Sequence, residues 1–148
     1  MNRMLLIGGL LVATLGDVAQ AEPLPLCASE RVNCIVDGDT FFLDGETIRL
    51  DGIDAPDLRA RPACFAEAEI ALAAAKRLAE LLGEAGATTP DATNPDIPNP
   101  GIIVTRNGTD SSGRTLARVT AGGWDVGDAL IAAGLARPST EATEDWCG

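Results

Sequence analysis

The sequence contains no histidine and no tyrosine, and the missing histidine alone excludes several kinds of site. Ser-His-Asp and Cys-His catalytic groups cannot be assembled without an imidazole. Zinc is disfavoured as well, because there is no histidine ligand and the four cysteines include no Cys-x-x-Cys pair. No glycine-rich phosphate loop of the Walker or Rossmann type occurs. Carboxylates, arginines and an oxygen-bound metal ion are therefore the chemical groups that remain.

Positive charge is also scarce. The 148 residues carry 11 basic and 22 acidic side chains, for a net charge of −11. This balance is unusual for a protein that binds nucleic acid, because affinity for phosphates comes largely from lysine and arginine. An acidic surface is instead typical of a soluble exported protein. Six basic residues nevertheless lie in or next to the motifs described below: Arg49, Arg59, Arg61, Arg106, Arg114 and Arg118.

Residues 1–21 have the pattern of a secretory signal peptide, with Arg3 before an apolar run at 5–15 and small residues at 19–21. The run is too short to span a bilayer comfortably, although a retained anchor is an alternative. Cleavage would leave 22–148, which we interpret as one domain. We expect it to be secreted or periplasmic, monomeric and without membrane contact.

Four cysteines remain in that domain, and an even number in an exported chain favours disulfide bonds. Three connectivities are possible. We predict Cys27–Cys34 together with Cys64–Cys147, because this pairing would hold both ends of the chain.

Two Asp-Gly pairs divide a stretch of short apolar runs. Asp37-Gly38 and Asp44-Gly45 are strong hairpin signals, because both central residues of such a turn can adopt a positive φ. A three-stranded antiparallel meander is therefore predicted, with strands at 32–36, 40–43 and 47–50.

The rest of the chain is predicted to hold two more strands and two helices. The strands are 101–105 and 115–120, with a turn that begins at Asn107-Gly108, and the helices are 66–83 and 125–134. Asp125 is the expected N-cap of the second helix and Gly134 its C-terminal stop. The segment 84–100 is rich in Pro, Asn, Asp and Thr, and we interpret it as a flexible insertion.

An arginine stands in the third predicted strand among apolar residues. Since side chains alternate between the faces of a strand, Arg49 points away from the face that its two neighbours share. Asp39 belongs to the first turn, and Asp54 and Asp57 follow the third strand. If the sheet curls into a small barrel, these four side chains can meet at one rim. Calcium prefers carboxylate and carbonyl oxygens, and a phosphodiester binds a guanidinium fork.

Three blocks of sequence resemble the staphylococcal nuclease (thermonuclease) family, secreted bacterial type. They are VDGDTFFLDGETIRLDGIDAPD at 36–57, GRTLAR at 113–118 and DVGDALIAAGLARP at 125–138. The order of the blocks is as specific as their content. The resemblance implies an α+β, mainly β fold: a five-stranded OB-fold barrel with two helices, in which the third, C-terminal helix is missing or vestigial.

The same resemblance implies a set of site residues. Asp39 and Asp54 match the carboxylates that hold a calcium ion, and the main-chain carbonyl of Ala55 would be a third oxygen ligand. Arg49 and Arg114 match two phosphate-binding arginines, which would stabilise the extra negative charge on five-coordinate phosphorus.

Two departures from the family pattern bear on activity. Asp57 stands where the family has a glutamate that positions or deprotonates the attacking water, and its carboxylate is retracted by about 1.5 Å. A misplacement of about 1 Å can lower a rate about 100-fold. The absence of tyrosine removes rings that stack on bases in the family, where stacking is worth roughly 1–3 kcal/mol per base.

The implied function is that of a nuclease: calcium-dependent hydrolysis of phosphodiester bonds in single-stranded DNA or RNA by water attack at phosphorus, with low activity because of Asp57. The alternative is a catalytically weak or inactive OB-fold binding module of the same family. A structural envelope protein held by disulfides is a third interpretation. The choice between DNA and RNA stays open.

Overall fold

The computed structural model describes residues 22–87, 101–141 and 145–148. The predicted signal peptide and most of the predicted insertion lie outside the described residues. Residues 84–87, predicted to begin the insertion, instead belong to a helix, in which Ala85 is buried. Within the described ranges, no helix has both the length and the apolar character needed to cross a membrane.

Eight strands and two α-helices make up the described part of the chain. In order they are β1 (Cys34–Ile35), β2 (Thr40–Leu43), β3 (Glu46–Leu50), β4 (Ile53–Asp54), α1 (Phe65–Ala87), β5 (Ile102–Thr109), β6 (Thr115–Ala121), β7 (Trp124–Asp125), α2 (Val126–Ala132) and β8 (Arg137–Pro138). A 3-10 turn, Ser139–Glu141, follows β8 where the family's third helix was expected to be vestigial.

The main sheet has the strand order β1-β2-β3-β6-β5, with β7 added beside β6. The predicted antiparallel meander is confirmed, with Phe41 opposite Ile48 between β2 and β3. Strands β3 and β6 run parallel and place Arg49 opposite Leu116, while β4 pairs with β8 in a separate ladder. The α+β class is confirmed. Among the described residues no ladder joins β5 to β1, so the sheet is open where a closed barrel was expected.

The two Asp-Gly turns form for different physical reasons. Asp44 and Gly45 adopt the positive φ values of 50° and 82° that the hairpin signal predicts. Gly38 does not adopt a positive φ. A Cβ at Gly38 would lie 2.5 Å from the Cβ of Ala74 and 2.9 Å from that of Ala55. Glycine is needed there because the first turn packs closely against α1 and the chain after β4.

The hairpin between β5 and β6 turns later than predicted. Asn107 and Gly108 lie inside β5 at a bulge, so the turn prediction there is wrong. The chain reverses after Asp110, whose Oδ1 accepts hydrogen bonds from the backbone N–H groups of Ser112 and Arg114. An aspartate that bonds the backbone two residues ahead favours a turn at its own position, and this local signal prevails over Asn-Gly.

The core lies between α1 and the concave side of the sheet. Helix α1 presents Leu78 and Leu82, both fully buried, one turn apart. They pack with apolar side chains of the sheet and of α2: Ile35, Phe41, Ile48, Leu50, Val119, Val126 and Leu130. Helix α2 begins and ends as predicted, because the Asp125 carboxylate accepts the N–H of Asp128 and Gly134 adopts a φ of 70°.

Two disulfides have the predicted pairing. Cys27–Cys34 joins the N-terminal lead-in to β1, and Cys64–Cys147 joins the residue before α1 to the C-terminal tail. Disulfides form and persist in oxidising compartments, which agrees with an exported protein.

Candidate active site at the sheet edge

Arg49 is the centre of the candidate site. Its Nη1 lies 3.3 Å from Oδ1 of Asp39, and its Nη2 lies 3.2 Å from Oδ2 of Asp39 and 3.1 Å from Oδ1 of Asp54. The side chain of Arg49 is 25% exposed. Two carboxylates therefore hold the guanidinium in place while part of it remains open to solvent.

Asp39 is buried, with 2% of its surface exposed. Its Oδ1 accepts a hydrogen bond from Oγ1 of Thr40 at 2.7 Å, and its Oδ2 accepts one from the backbone N–H of Ala55 at 3.2 Å. A buried carboxylate requires such partners, because an unpaired charge in the interior is costly. The bond to Ala55 also joins the first turn to the chain after β4. The three residues predicted to hold calcium are thus brought together through Asp39 and Arg49.

Negative charge accumulates around Arg49. Burial and the charge of Asp39 raise the pKa of Asp37 to about 7, and the charge of Asp57 contributes. Burial and the charge of Asp39 also raise the pKa of Asp54, although Arg49 opposes this shift. We call Asp37, Asp39, Asp54 and Asp57 the acidic cluster. A group of carboxylates that raise one another's pKa is an environment that a bound cation would stabilise.

The donor set of this cluster fits a calcium ion. Carboxylate and main-chain carbonyl oxygens are the ligands that calcium prefers, and Asp39, Asp54 and Ala55 supply both kinds. Among the residues that the structure describes, no three acidic or other ligating side chains are already arranged as a metal site. Arg49 contacts both Asp39 and Asp54 here, so a cation would share these carboxylates with the guanidinium.

Asp57 is exposed and is engaged by its own loop. Its Oδ1 accepts the backbone N–H of Arg59 at 2.7 Å and that of Ala60 at 3.2 Å. Such local bonds are typical of aspartate in a turn. The charge of Asp57 also contributes to the raised pKa of Asp37. One of its two oxygens is committed to the loop in this conformation.

Arg114, the second arginine that the resemblance assigns to phosphate, is held by a carboxylate of its own turn. Its Nε lies 2.6 Å from Oδ2 of Asp110, four residues earlier in the same turn. Burial opposes ionisation of Asp110, but hydrogen bonds from Arg114 and Ser112 lower its pKa overall. No hydrogen bond or ion pair in the described ranges connects Arg114 to Arg49 or to the acidic cluster. Arg114 must exchange Asp110 for substrate if it binds phosphate.

Two residues near the site were missed by the sequence analysis. Asp37 was interpreted as a turn residue, although its position two residues before Asp39 was a usable signal. Arg137 lies in the third block of the family resemblance, but no role was assigned to it. It lies opposite Asp54 because β4 pairs with β8, and its charge acts on the Asp54 carboxylate.

The family model described as staphylococcal nuclease homologue matches residues 47–145, which is more than half of the chain. The chain belongs to this family. The matched range includes Arg49, Asp54, Asp57 and Arg114, whereas Asp39 precedes it. No curated protein sequence matches the chain.

Membership in the staphylococcal nuclease homologue family makes the edge around Arg49 the candidate nuclease site. A cavity of about 890 Å³ lies elsewhere in this family member, between α1, α2 and β7. Leu81, Trp124 and Asp128 are among its lining residues, and none of the predicted site residues is. A polymer backbone can bind at an open edge, so a phosphodiester substrate does not require Arg49 to line this cavity.

Proposed function

We propose that this protein hydrolyses phosphodiester bonds in single-stranded DNA or RNA, in a calcium-dependent reaction in which water attacks phosphorus. The observation that carries the proposal is the guanidinium of Arg49, held by buried Asp39 and by Asp54 at an edge that is partly open to solvent. Family membership supports nuclease activity in general terms. The two disulfides support action outside the cytoplasm, in a secreted or periplasmic protein.

Arg49 would bind the phosphate through its guanidinium fork. Because the carboxylates of Asp39 and Asp54 already hold this group, little reorganisation is needed when negative charge develops on the phosphorus oxygens. Donors that are positioned in advance stabilise a transition state more than a ground state, and this difference accelerates the reaction.

Asp39 and Asp54, with the carbonyl of Ala55, would hold the calcium ion. When bound, the ion supplies positive charge to the phosphate oxygens on which negative charge accumulates. The protein prepares Asp39 for this role, because the hydrogen bonds from Thr40 and Ala55 fix the plane of its carboxylate. The raised pKa of Asp37 supports the need for positive charge at this place.

Asp57 and Arg114 complete the proposed site. Asp57 would position or deprotonate the attacking water with the oxygen that Arg59 and Ala60 do not use. Arg114 would be a second guanidinium after leaving Asp110. Both side chains are engaged elsewhere in this structure, which is a reason to expect a slow enzyme.

The test is hydrolysis of single-stranded DNA and RNA by the oxidised chain 22–148, with calcium and with a chelator. We expect cleavage that requires calcium and that falls about 100- to 1,000-fold in Arg49→Ala, the loss typical of one oxyanion donor. Arg106→Ala is the matched control, because Arg106 pairs with Glu46 away from the cluster. If neither the wild type nor Asp57→Glu cleaves at high concentration, the proposal is wrong.

A binding module without turnover is the second candidate, and the engagement of Arg114 by Asp110 and of Asp57 by its loop favours it. It predicts calcium or oligonucleotide binding by calorimetry with no cleavage product. Binding that Arg49→Ala abolishes, in a chain that cuts nothing, would move the assignment to this function.

A further inference from the structure

Arg137 and Trp146 form a stacked pair next to the acidic cluster. The guanidinium carbon of Arg137 lies 3.8 Å from the centre of the Trp146 ring, and its Nη2 donates to the carbonyl of Asp145 at 2.9 Å. Arg137 also lies opposite Asp54 in the β4–β8 ladder. One arginine therefore connects the indole ring to a carboxylate that is predicted to bind calcium.

A disulfide at Cys147 and a backbone hydrogen bond at Ser139 attach the C-terminal tail to the rest of the fold. Cys147, the neighbour of Trp146, is bonded to Cys64, which directly precedes α1. At the other end, the N–H of Ser139 donates to the carbonyl of Gly52 at 2.9 Å, next to β4. The ring of Trp146 is half-buried, so part of it faces solvent.

We propose that Trp146, backed by the guanidinium of Arg137, is a position on which a nucleobase of the substrate stacks. This inference rests on the proposed function, since it places the base of a strand whose phosphate lies at Arg49. Aromatic rings combined with arginine are the groups that proteins use to bind single strands, because every base has a π-face.

The other aromatic rings are less suited to this role. The chain has two tryptophans, three phenylalanines and no tyrosine. Phe41 is fully buried in the core. Trp124 is 76% exposed, but it lies at the cavity between α1, α2 and β7, which none of the predicted site residues lines.

Two rings compete with Trp146. Phe65 is exposed and adjacent to Cys64, and Phe42 is half-buried with the guanidinium carbon of Arg31 5.9 Å from its ring centre. Trp146 differs from both by an arginine stacked at 3.8 Å, which also lies opposite Asp54.

The positive charge of Arg137 adds a second argument. A polyanion that approaches Arg49 meets the acidic cluster, which repels it. Arg137 offsets part of this repulsion at Asp54, on the side where Trp146 lies. A strand that runs from Arg49 toward Arg137 therefore meets a guanidinium and a ring in succession, which favours that direction over others.

Fluorescence tests the stacking directly. Trp124→Phe leaves Trp146 as the single tryptophan, and this variant is titrated in calcium with a deoxynucleoside 5′-phosphate and, in parallel, with deoxyribose 5-phosphate. We expect quenching by the nucleotide and none by the sugar phosphate. An equal response to both ligands, or no response to either, would overturn the inference.

Kinetics separate stacking from a merely structural role of the tail. In Trp146→Leu, kcat/KM for an oligonucleotide is expected to fall about 5- to 150-fold, the range for one lost stacking contact. For an oligonucleotide with abasic sites it should change little. Trp124→Leu, the matched control, should leave both values unchanged. If the tail only stabilises the fold, Trp146→Leu would lower kcat/KM for both oligonucleotides together. If Phe65→Leu, and not Trp146→Leu, loses the preference for the base-bearing oligonucleotide, the base stacks on Phe65.

The two proposals fail in different ways. If the chain cleaves nothing but the nucleotide quenches Trp146, hydrolysis is wrong and base stacking stands. If the chain cleaves, but the ratio of kcat/KM for base-bearing and abasic oligonucleotides is the same in Trp146→Leu as in the wild type, stacking is wrong and hydrolysis stands.

Discussion

Arg49 and Arg114 are the arginines of two motif blocks, and the fold places them in contrasting surroundings. Arg49 contacts Asp39, in the turn before β2, and Asp54, in β4. Arg114 contacts Asp110 inside a single turn, four residues away. The position of Arg49 therefore depends on the packing of β2, β3 and β4, whereas that of Arg114 depends on one hairpin.

The difference shows that a motif residue is ready to function only when its partners are also brought to the site. The Arg114–Asp110 pair is partly exposed and lies within one turn. Ion pairs that solvent reaches contribute little, so a phosphate can replace Asp110 at little cost. Loss of the partner of a buried carboxylate such as Asp39 costs more, on the order of 3–5 kcal/mol, because the remaining charge is left in the interior. Arg49 thus has a structural role and a proposed catalytic role at once.

Lysine substitutions give the largest expected effect. Arg49→Lys keeps a positive charge for Asp39 but loses the fork, so we expect a folded protein whose kcat/KM is about 100- to 1,000-fold lower. Arg114→Lys should lose only about fivefold, the equivalent of about 1 kcal/mol. Thermal unfolding establishes that each variant folds, and kcat/KM is measured on one oligonucleotide. Equal losses of kcat/KM in the two variants would contradict the proposed difference between Arg49 and Arg114.

Asp57→Glu tests whether the short carboxylate of Asp57 limits the rate of hydrolysis at the site around Arg49. The longer side chain restores about 1.5 Å of reach, and we expect kcat to rise by up to about 100-fold. Asp51→Glu is the matched control, since Asp51 is an exposed aspartate that accepts a hydrogen bond from Asn107. A rate that does not rise in Asp57→Glu would show that Asp57 is not the limiting group.

Asp110→Asn tests whether the charge of Asp110 holds Arg114 away from the substrate. The amide oxygen can still accept the N–H groups of Ser112 and Arg114, while the charge that holds the guanidinium is removed. We expect kcat/KM to rise about fivefold, because a partly exposed pair contributes only modestly to holding the guanidinium. The same change on an Arg114→Ala background should have no effect. A rise in both backgrounds would mean that Asp110 acts through general charge and not through Arg114.

The smallest effect concerns Arg106, whose partner Glu46 is distant in sequence and half-buried in the fold. Hydrogen bonds from Arg106 and Thr115 lower the pKa of Glu46 from 4.5 to about 2. A carboxyl with a lowered pKa in the folded state stabilises the protein above its unfolded pKa, and this contribution disappears as the pH falls to about 2.

The melting temperatures of wild type and Glu46→Gln, measured across this range, test the sign. The wild type should be slightly more stable at pH 6, and the difference should shrink below about pH 4.5. A difference that stays constant down to pH 2 would contradict the assignment of the lowered pKa to Glu46.

Local patterns in the sequence determined much of this protein. The antiparallel meander, the cap at Asp125 and the stop at Gly134 follow from turn chemistry and alternation, which act within a few residues. The resemblance identified the family and pointed to Arg49, Asp39 and Asp54 together. The pairing of the four cysteines was also predicted, since it is the arrangement that holds both chain ends.

Other features were decided by the tertiary structure alone. Gly38 is required by the approach of α1 and not by its own φ, and Arg137 reaches Asp54 because distant strands pair. The turn at Asp110 retains Arg114, which its motif alone would have assigned to the phosphate. The physical reason is the same in each case. Propensity and alternation describe a residue and its neighbours in the chain, whereas close packing and ion pairing depend on segments that meet only after folding.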